Sequence, residues 1–150
     1  DSLVNERANS YKMIRGKVKY ILATFRELPI FKAINYQIDL HHKSTKTSAM
    51  MVSVANGKSY GGGMLISPSS ELGDGYLEMI ILKRVSIFEF LRVFPRVFKG
   101  THIEHNAVEI HKISSCVMNA DAVAYADGER IGNLPISVEV APKVMLTWLR

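Results

Sequence analysis

From Ile34 onward, apolar residues recur at every second position in a series of short runs, and a period of two is the signature of half-buried strands. The runs read NYQIDLHH, AMMVSVANG, GGMLISP, GYLEMIILK, AVEIHKIS, SCVMNA, DAVAYA, LPISVEVA and KVMLTWL, with the polar KSTKTS as a turn between the first two. So many short strands broken by polar turns predict an antiparallel sandwich or barrel-like sheet and argue against alternating βαβ units. The expected fold class is mainly β (α+β), an antiparallel β-sandwich.

Two segments depart from that period. Residues 4–27 carry Met13, Ile14, Val18, Ile21, Leu22 and Phe25 at helical spacing, which predicts an N-terminal helical segment ending before Pro29. Residues 86–99, SIFEFLRVFPRVFK, predict one inserted helix. Ser86 and Glu89 have capping-box spacing, Gly100 offers a stop, and Pro95 demands a kink or a restart because it lacks the N–H its turn requires. Phe88, Phe90, Phe94 and Phe98 beside Arg92, Arg96 and Lys99 suit either a helix covering a sheet face, the favoured reading, or one lying on an anionic membrane.

A chain of 150 residues, 47% hydrophobic, can bury one substantial core, so a single domain covers 1–150. No apolar run approaches the roughly 20 residues of a membrane span. The chain opens on Asp1 without a basic stub and apolar stretch, which predicts no signal peptide and a piece of something longer. Cys116 is the one cysteine; it excludes an internal disulfide, favours a reducing cytoplasm, and reads as a buried small hydrophobe. The net charge of +5 sits mostly in the first third, where Lys12, Arg15, Lys17, Lys19, Arg26 and Lys32 are spread singly. Without interleaved aromatic residues this pattern argues against nucleic acid and leaves anionic lipid or phosphate as partners.

Four stretches could carry chemistry. Gly61-Gly62-Gly63 follows a strand, but no helix and no Gly-Lys-Ser/Thr comes after it, so it reads as a bulge or close backbone approach and is not a P-loop. PSSELGDGYL, residues 68–77, sets Asp74 in a Gly-flanked loop that serves equally as a plain turn or as an oxygen-rich site for a hard cation. His41, His42, His102 and His105 show no third ligand at metal-site spacing. In DAVAYADGERIG, Asp127-Gly128 predicts a hairpin turn, and Glu129 is either a turn-flanking charge or an active-site carboxylate.

The order of these motifs is more specific than any one of them. VANGKSYGGGM, the Pro68…Asp74-Gly75-x-Leu77 element, the helix ending in Gly100-Thr101-His102 and the strand with Asp127-Gly128-Glu129 resemble the C-terminal domain of the bacterial diacylglycerol kinase family, itself related to sphingosine and ceramide kinases. The resemblance spans essentially the whole chain, from DSLVNERAN onward. It implies the C-terminal β-sandwich domain of an NAD-kinase/diacylglycerol-kinase-like two-domain fold, whose N-terminal α/β nucleotide-binding domain, with its Gly-Gly-Asp-Gly-Thr loop, does not occur in this chain.

Carried over by position, the resemblance makes Glu129 the catalytic carboxylate that accepts the proton of a lipid hydroxyl during ATP-dependent phosphorylation, and Glu71, Asp74 and Tyr76 the Mg²⁺ loop, which in the family uses main-chain carbonyls besides the aspartate and leaves open whether Glu71 adds its carboxylate. It implies diacylglycerol or a similar lipid as substrate, phosphatidate as product, and ATP bound mainly by the other domain, so that this chain alone is inactive. It further implies a cytoplasmic protein peripherally associated with an anionic membrane surface, with a homodimer through a sheet edge as an option. Two other readings stand beside it: a non-catalytic lipid-binding or dimerisation module, and a kinase of the same scaffold acting on sphingoid or non-lipid alcohols or on NAD.

Overall fold

The computed structural model describes residues 32–40 and 43–142. The helix expected over residues 4–27, the strand KVMLTWL, and His41 and His42 lie outside them. The described chain is mainly β, as the alternation predicts. It runs β1 (Ile34–Leu40), β2 (Lys43–Ala55), β3 (Leu77–Lys83), α1 (Ile87–Val93), β4 (Val108–Ile113), β5 (Ser115–Asn119), β6 (Val123–Ala126), β7 (Glu129–Asn133) and β8 (Ile136–Glu139). Six strands form one antiparallel sheet in the order β4-β3-β2-β1-β5-β8, and β6 pairs with β7 as a separate hairpin.

The period of two decides what is buried. Tyr36 and Ile38 of β1, Met79 and Ile81 of β3, and Cys116 and Met118 of β5 meet in one cluster on the sheet's inner face. Each such side chain contributes about 1.5–3 kcal/mol when fully buried. In β3 the residues between them are buried as well: Glu78 and Ile80 face the other side, which is covered. There Leu65 donates its N–H to the Val97 carbonyl at 2.9 Å, Lys83 to that of Ala107 at 2.8 Å, and the His102 ring meets the Ile66 carbonyl at 3.2 Å. Segments 64–70 and 97–107 thus make a second, smaller core on the outer face of β3.

Three expectations change. KSTKTS is strand, because Thr45 and Thr47 stand opposite Ile38 and Tyr36 and continue the inward alternation that reaches Ala49; pairing overrides polar composition. GGMLISP is loop: Gly61, Gly62 and Gly63 take φ of 57°, 82° and 91°, and the Tyr60–Met64 bridge closes a tight turn. Only glycine repeats positive φ without strain. The helix of residues 86–99 is α-helical only to Val93 and continues as a 3-10 turn, Phe94–Phe98, because Pro95 has no N–H to donate. Its capping box forms as predicted, with the Glu89 N–H on Ser86 Oγ at 3.2 Å. The sheet-covering role falls to Val97 in the 3-10 turn; α1 itself buries no residue, and Phe88 is 85% exposed.

Candidate active site

The hairpin that carries Glu129 is tight. Asp127 and Gly128 have φ of 50° and 89°, and Ala126 pairs directly with Glu129, so the loop is two residues of primed-turn geometry. A bulge at Ile131, where the register steps from Tyr125↔Arg130 to Ala124↔Gly132, adds twist to the ribbon. Glu129 is therefore the first residue of β7, solvent-exposed, on a backbone fixed by the turn before it. Beside it, Arg130 donates to Asn133 Oδ1 at 3.0 Å and is not engaged with the carboxylate.

Between this hairpin and the inner face of the sheet lies a cleft of about 1210 Å³. Met51, Val54, Met118, Val123, Leu134 and Ile136 contribute apolar wall, and Asp127 and Gly128 stand in its lining. Several of these side chains also pack against the inner-face cluster, so the cleft is the open continuation of the core. Its volume exceeds the roughly 300–1,000 Å³ of small-molecule sites, which are lined mostly by apolar side chains with a few polar groups that orient the ligand.

The Asp74 loop is built differently. Gly73 and Gly75 flank Asp74 with φ of 86° and 79°, turning the chain so that Asp74 Oδ1 accepts the N–H of Tyr76 at 2.9 Å. Its other oxygen, Oδ2, lies 2.7 Å from the ammonium of Lys112 on β4. The same ammonium sits 4.7 Å above the Tyr76 ring. The Lys112 hydrogen bond first, and that from Tyr76 second, hold the Asp74 carboxyl below the usual carboxylate range, while Asp74 pushes the Lys112 ammonium up. Mg²⁺ demands a near-octahedral set of oxygens. Here the one well-placed carboxylate already has a donor on each oxygen and a cation against it, so the residues as arranged do not fit a divalent ion while Lys112 is seated. Among the described residues no cluster of three or more His, Cys, Asp or Glu side chains stands ready for a metal. Asp74 lies in the loop before β3 of the six-stranded sheet, whereas Glu129 opens β7 of the separate hairpin.

Sequence reasoning missed Lys112 and Glu78. Glu78 is 8% exposed, and its Oε2 accepts from the hydroxyls of Ser67, of Ser69 at 3.0 Å and of Ser70 at 3.4 Å. A carboxylate inside LEMIIL was the available signal, since a buried charge must be met by donors. The three serines pin the loop ahead of Asp74 to β3. His102, also buried, has its ring depressed below the ordinary range by burial, and its Nδ1 has no partner. Burial pushes the Cys116 thiol up, in keeping with an inert core cysteine.

Comparison with known proteins follows the fold and the motif order. Residues 1–148 match the model of the YegS C-terminal NAD kinase beta sandwich-like domain. The chain belongs to that family. Among curated relatives of this YegS C-terminal domain, the diacylglycerol kinase of Mycobacterium tuberculosis (strain ATCC 25618 / H37Rv) is 30% identical over 97% of the chain, which spans 48% of that protein. The diacylglycerol kinase of Bacillus subtilis (strain 168) is 29% identical over 83% of the chain and 42% of its own length. The chain thus spans about half the length of the curated relatives it matches. A solved Bacillus anthracis str. Sterne protein superposes with a TM-score of 0.69 at 23% identity, over 90% of this chain and 46% of that one, and supports the fold of the YegS C-terminal domain. No helix among the described residues is long and apolar enough to cross a membrane.

Proposed function

We propose that this domain is the lipid-side half of an ATP-dependent lipid kinase that phosphorylates diacylglycerol or a similar lipid alcohol, with Glu129 as the general base. The observation that carries the reading is a carboxylate on a two-residue hairpin whose turn lines a cleft of about 1210 Å³ with both apolar and polar walls. The cleft takes the acyl chains and leaves the alcohol at the turn. Glu129 accepts the hydroxyl proton as the alcohol oxygen bonds to the γ-phosphorus of ATP; the bond from that phosphorus to the bridging oxygen breaks, and ADP leaves with the electron pair. Phosphoryl transfer asks a protein chiefly for positioning and charge neutralisation, and Mg²⁺ travelling with the nucleotide supplies charge neutralisation. Nucleotide binding belongs to the half of the relatives that this chain does not span.

An anionic membrane surface is the partner that supplies the lipid. In support, Phe88 stands exposed with Arg92 one helical turn beyond it on the same side of α1. Two copies would pair along an edge of the six-stranded sheet, β4 or β8.

The test is phosphorylation of a lipid panel in mixed micelles by the parent protein, with everything upstream of Asp1 restored, beside its Glu129→Gln variant. Gln keeps the shape and removes the base. The expected result is phosphorylation of diacylglycerol and a loss of about 10²-fold or more in the variant. A parent inactive on every lipid, or a variant equal to it, sinks the reading and favours a non-catalytic module; activity confined to sphingoid or non-lipid alcohols moves the substrate class.

A further inference from the structure

Two of the three residues that the family resemblance assigns to a divalent ion, Asp74 and Tyr76, meet one lysine. Asp74 Oδ2 lies 2.7 Å from Lys112 Nζ, the Tyr76 ring lies 4.7 Å beneath it, and Glu71 adds its negative field at the same ammonium. We propose that in this chain Lys112 is the resident cation of the Asp74 loop, so that lysine and a divalent ion exclude one another there.

The register explains why Lys112 reaches this position. On β4, Lys112 stands directly opposite Glu78 of β3, and directly opposed residues share a face. Glu78, held at Oε2 by the hydroxyls of Ser67, Ser69 and Ser70, makes no ion pair with Lys112. The four-carbon stem of Lys112 carries the ammonium past the start of β3 to Asp74 instead. There it does what a structural ion would do: it neutralises the carboxylate that the two positive-φ glycines force outward, and it ties the loop to the neighbouring strand.

Mutual exclusion follows from charge. A divalent ion on Asp74 would have to share the carboxylate with an ammonium seated on Oδ2, and the two cations repel one another across it, more so at a protein surface than in bulk water. The loop therefore stays closed without metal. Removing the lysine leaves the Asp74 carboxylate without its cation in a Gly-flanked turn, free to serve as an oxygen ligand of a hard cation.

The test reads binding and stability and uses no catalysis, so it stands apart from the lipid-kinase assignment. In the parent protein with its upstream half restored, melting temperature is followed with chelator and with millimolar Mg²⁺, and Tb³⁺ serves as an oxygen-seeking probe whose luminescence Tyr76 sensitises. The quantity read is the part abolished by Asp74→Asn. For the parent that part is expected to be close to nothing. Lys112→Met should become Mg²⁺-stabilised and bind Tb³⁺ about tenfold or more tightly than the parent, and the Lys112→Met, Asp74→Asn double variant should lose both gains. Lys112→Arg, which keeps the charge, should behave as the parent and guards against a variant that merely fails to fold. A parent whose Asp74-dependent melting falls with chelator, or that binds Tb³⁺ as tightly as Lys112→Met, overturns the proposal.

Discussion

His102 is held neutral in a place that offers its second nitrogen nothing. Its Nε2 meets the Ile66 carbonyl at 3.2 Å, which fixes the proton on that nitrogen, and Nδ1 is buried without a partner. Burial lowers the ring below its ordinary value, and the Arg96 guanidinium lowers it further. A depressed histidine stabilises the fold fully above its unfolded value of about 6.5, and the contribution is lost as pH falls from there through the folded value, because the unfolded chain takes up the proton first. The melting temperature of the parent should therefore drop on acidification below about pH 6.5. His102→Gln, which can still donate to Ile66, should flatten that part of the profile; a variant with the same slope would remove His102 as its cause. At this scale the sequence was only partly legible. Glu129 and Asp74 stood out because Asp-Gly and Gly-Asp-Gly force particular backbone geometry, whereas Lys112 sits in an ordinary alternating strand, and its partner Asp74 lies in a loop far earlier in the chain that only the pairing of β3 with β4 brings near.

The helix α1 buries no residue, and its apolar side chains divide between ring stacking and solvent. Phe90 stacks on Phe94 at 5.4 Å and Phe94 meets Phe98 edge-on at 6.2 Å, so those rings cover one another, while Phe88 projects into solvent. Arg84 and Arg92, on either side of it, have no ion pair among the described residues, unlike Arg96, which is paired with Glu104 at 2.8 Å. An exposed ring among free guanidinium groups fits the headgroup boundary of an anionic bilayer. The parent should partition onto vesicles containing phosphatidylglycerol, and Phe88→Ser should weaken that partition by about tenfold. Sedimentation with such vesicles measures it, and equal partition of the two proteins would take α1 out of the membrane contact. The element boundaries show where alternation suffices and where it fails. It located β1, β3 and β4 because their apolar faces are set locally, but KSTKTS became strand only through pairing with β1, and GGMLISP became loop because three consecutive glycines in the left-handed region leave no extended backbone to pair.

The whole molecule is organised around β3. Its inward residues Leu77, Met79 and Ile81 belong to the core that opens into the cleft, and its outward residues Glu78 and Ile80 belong to the smaller core under the 97–107 stretch. Neither half can close before this strand is in register between β2 and β4, and both of those pairings join residues distant along the chain. The transition state for folding should accordingly contain β3 in nearly native surroundings. Ile80→Val, expected to cost about 1 kcal/mol, should appear almost wholly as slower refolding in a stopped-flow chevron, with the unfolding arm barely moved; a loss expressed in the unfolding arm would mean that the two cores assemble independently. A strand shared by both layers ties the cleft and the Asp74 loop to one element, so a change in the register of β3 is expected to reach both.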